Sequence, residues 1–262
     1  MIRLKMHAMY DHFPDHKPVP GEPFINCYAD THVNKCTEPG KNIVMLLEPR
    51  SMIAPAYEYV EAHPDLFRYI FTHDSKLLEL PQARMLNWGE VWLTTDSPKT
   101  KGISLVTSPK NWCPLHKARL ELYNYFKDRP EVDCFYGDWN NSEIPNIKPE
   151  DYLEHYKYSI IVENDIDDYW YTEKILNCFS TKTVPIYVGA GKIGELFNKE
   201  GIMRMSIEDI PRIIANLNVE EAYRYRMKAI EDNFRRVEPW KTPWKERFFR
   251  DYGDLMEEMI NE

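Results

Sequence analysis

Between residues 103 and 217 the chain alternates two kinds of apolar pattern at a spacing that few folds accommodate. The runs at 103–107, 132–136, 158–162 and 184–188 are short, nearly continuous and rich in β-branched and aromatic residues, as buried strands are. Between them lie stretches with helical spacing. In 115–127, Leu115, Ala118, Leu122 and Tyr125 share one side. Segments 150–156, 172–180 and 192–198 read as further helices. Ser206, followed three residues on by Asp209, has the form of a capping signal and opens a helix over 206–217; 219–236 continues as one long helix. Strands separated by helices cannot pair as hairpins. They pair through crossovers, which predicts a parallel sheet covered by helices on both faces. Such sheets bind ligands beyond the carboxyl ends of their strands.

The first hundred residues follow the rhythm less cleanly. Strands are expected at 43–47 and 67–71, short helices at 55–62 and 75–80, and brief strands at 85–88 and 91–94. The four prolines within 13–23 mark a loop. The polar breaker cluster 95–102 is the expected linker. The expected organisation is a first domain over 1–98, a second domain over 99–236, and a C-terminal helical tail over 237–262 packing back on the first domain.

Charge narrows the partners. With 33 basic and 42 acidic residues the chain carries a formal charge of −9, so a nucleic acid or an anionic membrane is repelled on average. The region 223–250 is locally basic, but its cations alternate with carboxylates as on a solvated helical face. No apolar run approaches the length of a membrane span, and residues 1–9, with Arg3, Lys5 and His7, lack the apolar core of a signal peptide. Five scattered cysteines, without zinc-knuckle spacing, suggest a reducing compartment. These features predict a soluble, cytoplasmic protein without an integral span, with peripheral membrane association left open.

Chemistry concentrates in 158–189. The run Tyr158–Val162 ends abruptly in Glu163–Asn164, where a Rossmann-like sheet meets its ligand. The alternative is a helix N-cap by Asn164 and a solvated Glu163. Next, Thr172–Glu173–Lys174 opens a helix. Free backbone N–H groups at a helix start suit phosphate, Lys174 adds a cation, and Glu173 can accept from ribose hydroxyls. A capped surface helix has the same composition. After it, 183–191 is a buried run ending in Gly189-Ala190-Gly191, where a backbone can approach a ligand closely.

Taken together, these pieces resemble the α-1,3-fucosyltransferase family. The family's strand ending in Phe-Glu-Asn-Ser, its Asp-Tyr-Val-Thr-Glu-Lys helix start and its Val-Pro strand are matched in order and spacing. Here they are Val162-Glu163-Asn164-Asp165, Tyr171-Thr172-Glu173-Lys174-Ile175-Leu176 and Thr183-Val184-Pro185-Ile186-Tyr187-Val188-Gly189. A weaker upstream match comprises Val106-Thr107-Ser108, Arg119-Leu120-Glu121-Leu122-Tyr123 and Val132-Asp133-Cys134-Phe135-Tyr136-Gly137. The resemblance implies an α/β fold of the GT-B type, with two Rossmann-like domains facing each other across a cleft. It further implies a GDP-fucose donor, a glycan acceptor and inversion at the sugar carbon. Carried over, Arg119 and Lys174 neutralise the pyrophosphate, Glu173 holds the ribose, and Glu163 and Asn164 lie beside fucose and nucleotide. Trp170 and Tyr171 stand where the family has Tyr and Val, and Asp165 replaces Ser. These departures touch the donor's identity more than the reaction class.

An inverting transfer needs a base for the acceptor hydroxyl. The family supplies a Glu from its first domain, and Glu48, closing the strand 43–47, occupies the best-matching position. A solvated Glu48 paired with Arg50 is the alternative, with Glu90, Asp74 and His73 in reserve. The acidic run Asp165-Ile166-Asp167-Asp168 resembles the metal-binding turn of the other major glycosyltransferase architecture. Its place inside the fucosyltransferase-like block argues instead for a reaction that needs no metal and no cofactor beyond the nucleotide sugar. Two other readings stay open: a transferase using a different nucleotide sugar, and an inactive nucleotide- or glycan-binding protein.

Overall fold

The computed structural model describes residues 1–138 and 141–262. They form two compact units, Met1–Trp88 with Asp167–Trp170 and Pro243–Glu262, and Gly89–Ile166 with Tyr171–Thr242.

In the first unit, β1 (Leu4–His7), β2 (Ile25–Ala29), β3 (Asn42–Met45), β4 (Tyr69–Thr72) and β5 (Ala83–Met85) form one parallel sheet in sequence order. Period-two alternation splits 43–47 between two faces. Val44 and Leu46 face helix α1 (Arg50–Ala62), packing with Ala56, Tyr57 and Val60. Ile43, Met45 and Leu47 join the opposite cluster, against Trp244, Phe248, Met256 and Met259 of the C-terminal helix Trp244–Asn261. That helix is tied down by Lys41, whose Nζ donates to the Ile260 carbonyl at 2.8 Å.

The second unit is also an all-parallel sheet. It contains β6 (Lys101–Thr107), β7 (Asp133–Tyr136), β8 (Tyr156–Val162), β9 (Val184–Val188) and β10 (Met203–Arg204), in spatial order β10-β9-β8-β6-β7. Helices α2 (Pro114–Phe126), α3 (Pro149–Leu153), α4 (Glu173–Ser180), α5 (Ile193–Leu196) and α6 (Ile210–Ala215) connect and cover the strands. Every residue of β8 is buried, as expected of a central strand with both faces covered. Tyr158, Ile160 and Val162 enter one cluster, and Ile161 enters the other with Ile175, Leu176 and Phe179 of α4.

Several boundaries differ from the sequence reading. Strands β1 and β2 went unread because Lys5, His7 and Asn26 interrupt their apolar runs and both lie beside the proline-rich loop. Residues 85–88 contribute only Met85 to a strand, and 91–94 form none. In 91–94 the backbone is satisfied by side chains of α4: Trp92 N–H and Leu93 N–H donate to Asn177 Oδ1, and Ser180 Oγ donates to the Leu93 carbonyl. The long helix over 219–236 is two helices, α7 (Val219–Tyr225) and α8 (Met227–Arg236), broken at Arg226. The first unit ends at Trp88 rather than 98, because this strap belongs to the second unit's core. The tail that returns to the first unit begins at Pro243 rather than 237, since Val237 and Trp240 pack in the second unit. Among the described residues, no helix is long and apolar enough to cross a membrane.

Candidate active site

The second unit gathers its polar side chains at the carboxyl end of β8. Glu163 follows the strand directly and its N–H still pairs with the Val188 carbonyl at 2.9 Å, so the sheet fixes its backbone. Its side chain is fully buried. One carboxylate oxygen accepts the Thr172 N–H at 3.0 Å; the other accepts the Thr172 hydroxyl at 2.8 Å and lies 3.3 Å from Lys174 Nζ. Thr172 caps α4, its Oγ1 accepting from Lys174 N–H at 3.3 Å and from Lys174 Nζ at 2.9 Å. Glu173 lies 3.6 Å from the same ammonium. Burial pulls the Lys174 ammonium down, but Glu163 and Glu173 more than offset it, and its pKa lies above the ordinary range. The result is a firmly protonated lysine at the positive end of a helix.

Glu163 therefore acts on the helix start and on Lys174, which it positions. Gly189 is likewise required by the protein's own packing: a Cβ there would stand 2.5 Å from Tyr187 Oη and 2.7 Å from Glu163 Cγ. The Tyr187 hydroxyl in turn accepts the Ala190 N–H at 3.1 Å.

Helix α2 supplies the other cation. Arg119 is buried, and its Nη1 donates to the Val162 carbonyl at 3.0 Å, one residue before Glu163. Its Nε–H has no protein acceptor among the described residues, a costly state unless a ligand or water provides one. Asn164 is held by His116, a residue the sequence reading passed over as part of an amphipathic helix. Trp112 N–H donates to His116 Nδ1 at 3.2 Å, which leaves the proton on Nε2 to reach Asn164 Oδ1 at 2.9 Å. Burial and the Arg119 charge push His116 down to about 4, so it is neutral and its tautomer is set.

Trp170 and Tyr171 are turned inward. Trp170 is 1% exposed and packs within the first unit against His73 at 4.5 Å and Trp88 at 6.1 Å between ring centroids. Tyr171 belongs to the second unit's core, where its hydroxyl accepts from Trp240 Nε1 at 3.1 Å. The acidic run before them shapes a turn: Asp165 Oδ1 accepts Ile166 N–H and Asp167 Oδ1 accepts Tyr169 N–H. Among the described residues, no group of His, Cys, Asp or Glu side chains is arranged to hold a metal ion.

In the first unit, Glu48 lies just beyond β3 and is partly exposed. Arg50 pairs with Asp74 at 2.9 Å and Glu61 at 2.6 Å. Those contacts hold Asp74 below the usual carboxylate range against the opposing pull of burial. Around Glu48 the structure adds residues the sequence reading missed. The Tyr57 hydroxyl donates to the Glu48 carbonyl at 2.8 Å and so accepts from His73 Nε2 at 3.1 Å. Asp30, directly after β2, accepts Leu47 N–H at 2.7 Å and Glu48 N–H at 3.1 Å on one oxygen. Its backbone lies in the left-handed region at φ 47°. The only signal for it was its place after an apolar run, the same signal that drew attention to Glu48. Glu90 lies in the second unit, partly buried.

Two all-parallel α/β units with polar groups gathered beyond the strand ends are the fold shared by glycosyltransferases of the GT-B class. The family enters through the second unit: residues 97–201 match "Glycosyltransferase family 10 (fucosyltransferase) C-term", a span that includes Arg119 and all of 163–174. Among solved structures, the chain is similar to an α1,3-fucosyltransferase crystallised with GDP. That match has a TM-score of 0.59 and 13% identity, covering 100% of this chain and 90% of the other. An α1,3-fucosyltransferase with GDP-fucose matches with a TM-score of 0.50 and 14% identity over 80% of this chain and 69% of the other. The pneumococcal O-GlcNAc transferase GtfA, with UDP and GlcNAc, matches at 0.53 and 11% over 90% and 57%. No match was found among curated proteins.

Proposed function

We propose that this protein is an inverting glycosyltransferase that moves L-fucose from GDP-fucose onto a glycan hydroxyl. The observation that carries this reading is Lys174, held protonated by Glu163 at the start of α4 inside the segment that matches the fucosyltransferase family. Such a lysine, with Arg119 and the positive end of α4, forms a cationic environment suited to a diphosphate. As the bond from the sugar carbon to the diphosphate oxygen breaks, these groups stabilise the charge on the leaving nucleoside diphosphate. Glu48 takes the proton of the acceptor hydroxyl as its oxygen bonds to the sugar carbon from the opposite side. Glu173 serves the ribose, and Asn164, oriented by His116, offers its amide to the donor.

On this reading the reaction needs no metal, because protein cations supply the charge that a divalent ion supplies elsewhere. Activity abolished by a chelator and restored by manganese would overturn that part. The donor is tested by a thermal-shift panel of GDP, UDP, ADP and CMP, since a nucleotide that binds only the folded state stabilises it in proportion to the logarithm of its concentration over Kd. GDP is expected to shift the transition. A shift with UDP and none with GDP would favour a different nucleotide sugar and defeat the GDP-fucose assignment.

A further inference from the structure

We infer that Asp30 is a positioning residue for Glu48: it clamps the backbone that presents Glu48, and its negative charge makes the Glu48 carboxylate a stronger proton acceptor. This inference rests on the assignment of Glu48 as the base and adds a residue to it. The geometry comes from two neighbouring parallel strands. Strands β2 and β3 pair from Asn26 opposite Asn42 to Ala29 opposite Met45, and they end together. Asp30 follows the first directly, and Leu47 and Glu48 follow the second. A single oxygen, Asp30 Oδ1, receives both the Leu47 N–H and the Glu48 N–H, so one carboxylate closes the gap between the strand ends and fixes the direction in which Glu48 leaves the sheet.

The backbone at Asp30 is held at φ 47°, a conformation that Asp and Asn adopt more readily than other side chains but that still costs free energy. Strained conformations of this kind persist where the surroundings over-determine them, and they gather at functional sites. Two backbone N–H bonds ordinarily lower a carboxyl's proton affinity. Here burial, joined by the neighbouring Glu48 charge, outweighs them, and Asp30 is raised to about 6. The interaction is mutual: a negative Asp30 raises the proton affinity of Glu48 by the same interaction energy.

The Asp30 charge is felt on the neighbouring elements. On β2, the buried Cys27 thiol is pushed up, by burial first and then by Asp30. On α1, the Tyr57 hydroxyl is raised by burial and then by Asp74 and Asp30, with Arg50 opposing; that hydroxyl bonds the Glu48 carbonyl and His73. On β1, His7 bonds Asn26 and stacks on Tyr28. A base assembled this way gains strength as pH rises through about 6 and Asp30 ionises. In the transfer step, the acceptor O–H proton passes to Glu48. The oxygen's electron pair forms the new bond to the sugar carbon, and the electrons of the broken bond leave with the diphosphate.

The test compares Asp30→Asn, Asp30→Gly and Glu48→Gln with the wild type. Asn keeps the accepting oxygen and tolerates the left-handed backbone, so it removes the charge and leaves the clamp. Two readouts are needed. The first is the carboxyl titration of Asp30 followed by carbon-detected NMR without substrate. Its midpoint is expected to fall by roughly a few tenths of a pH unit in Glu48→Gln, since the Glu48 charge is a smaller cause of the shift than burial. The second is the pH profile of kcat/KM with GDP-fucose. In Asp30→Asn its acid limb is expected to move to lower pH, with the plateau reduced about twofold, as for a slightly weakened general base. An unmoved Asp30 titration in Glu48→Gln overturns the pairing. An Asp30→Asn profile equal to wild type, with loss only in Asp30→Gly, overturns the electrostatic role and leaves a backbone clamp. Wild-type protein that turns over no nucleotide sugar defeats the functional reading instead, and the titration alone then decides the pairing.

Discussion

The Glu163 carboxylate holds Thr172 by both of its donors, the backbone N–H at 3.0 Å and the hydroxyl at 2.8 Å. A buried acid at the end of β8 thereby fixes the first turn of α4, and with it the lysine two residues on. Removing the acid's partners one at a time separates its structural work from ligand binding. Thr172→Val deletes the hydroxyl bond and the cap and is expected to cost about 1–2 kcal/mol of stability. Chemical denaturation measures this.

Lys174→Met deletes the ammonium that pairs with Glu163, which is also the proposed phosphate partner. Stability is expected to fall by about 1–3 kcal/mol, in the range for an uncompensated buried acid. GDP affinity should fall at least tenfold by calorimetry at a temperature where the variant remains folded. Loss of stability with unchanged GDP affinity would remove Lys174 from the donor site.

Gly189→Ala introduces a methyl that meets Tyr187 Oη at 2.5 Å and Glu163 Cγ at 2.7 Å. Neither neighbour moves freely, since the tyrosine is fully buried and the glutamate is bonded to Thr172. The expected cost is about 1–3 kcal/mol, the usual penalty of overpacking. It is read as a lowered Tm. GDP affinity should weaken with it, because the displaced Glu163 no longer holds Lys174 in place.

His116 predicts a specific acid sensitivity. Its folded-state value of about 4 lies below the unfolded value of 6.5, so between these limits the unfolded chain binds the extra proton. The stability it contributes is full above pH 6.5, declines as pH falls towards about 4, and is level below that. Unfolding free energies at pH 7.5 and 4.5 should differ less in His116→Gln than in the wild type.

Asp30 carries the opposite sign. Its folded-state value of about 6 exceeds the unfolded 3.8, so its contribution is fullest below pH 3.8 and is lost as pH rises through about 6. Asp30→Asn is therefore expected to raise Tm at pH 7.5 by a few degrees, on a scale of roughly 2–4 °C per kcal/mol, and to change it little at pH 4. An equal effect at both pH values would show that the carboxylate's charge costs the fold nothing.

The second unit was legible because its signals are local. Strand β8 is apolar throughout, Glu163 and Asn164 break it abruptly, and Thr172 has the composition of a cap; each can be read within a few residues. The first unit was legible only in part. Strands β1 and β2 carry polar residues within their apolar runs, and they are strands because β2 pairs with β3 and β1 with β2. The segment 91–94 has a strand's composition, yet Asn177 and Ser180 satisfy its backbone from a helix more than eighty residues away. Asp30 and Glu48 are only 18 residues apart, yet their bond was hidden too, because a hydrogen bond across two strand ends leaves no periodicity in either.

The sequence alone determined the alternating strand–helix order and the chemistry available at 163–174, since period, caps and residue types act over a few neighbours. Tertiary structure decided what those residues do. It turned Glu163 inward to anchor Thr172 and Lys174, buried Trp170 against His73 and Trp88, set the neutral tautomer of His116, and put Asp30 against the backbone of Glu48. Hydrogen-bond partners and desolvation depend on which surfaces meet in space, and only the folded chain specifies those meetings.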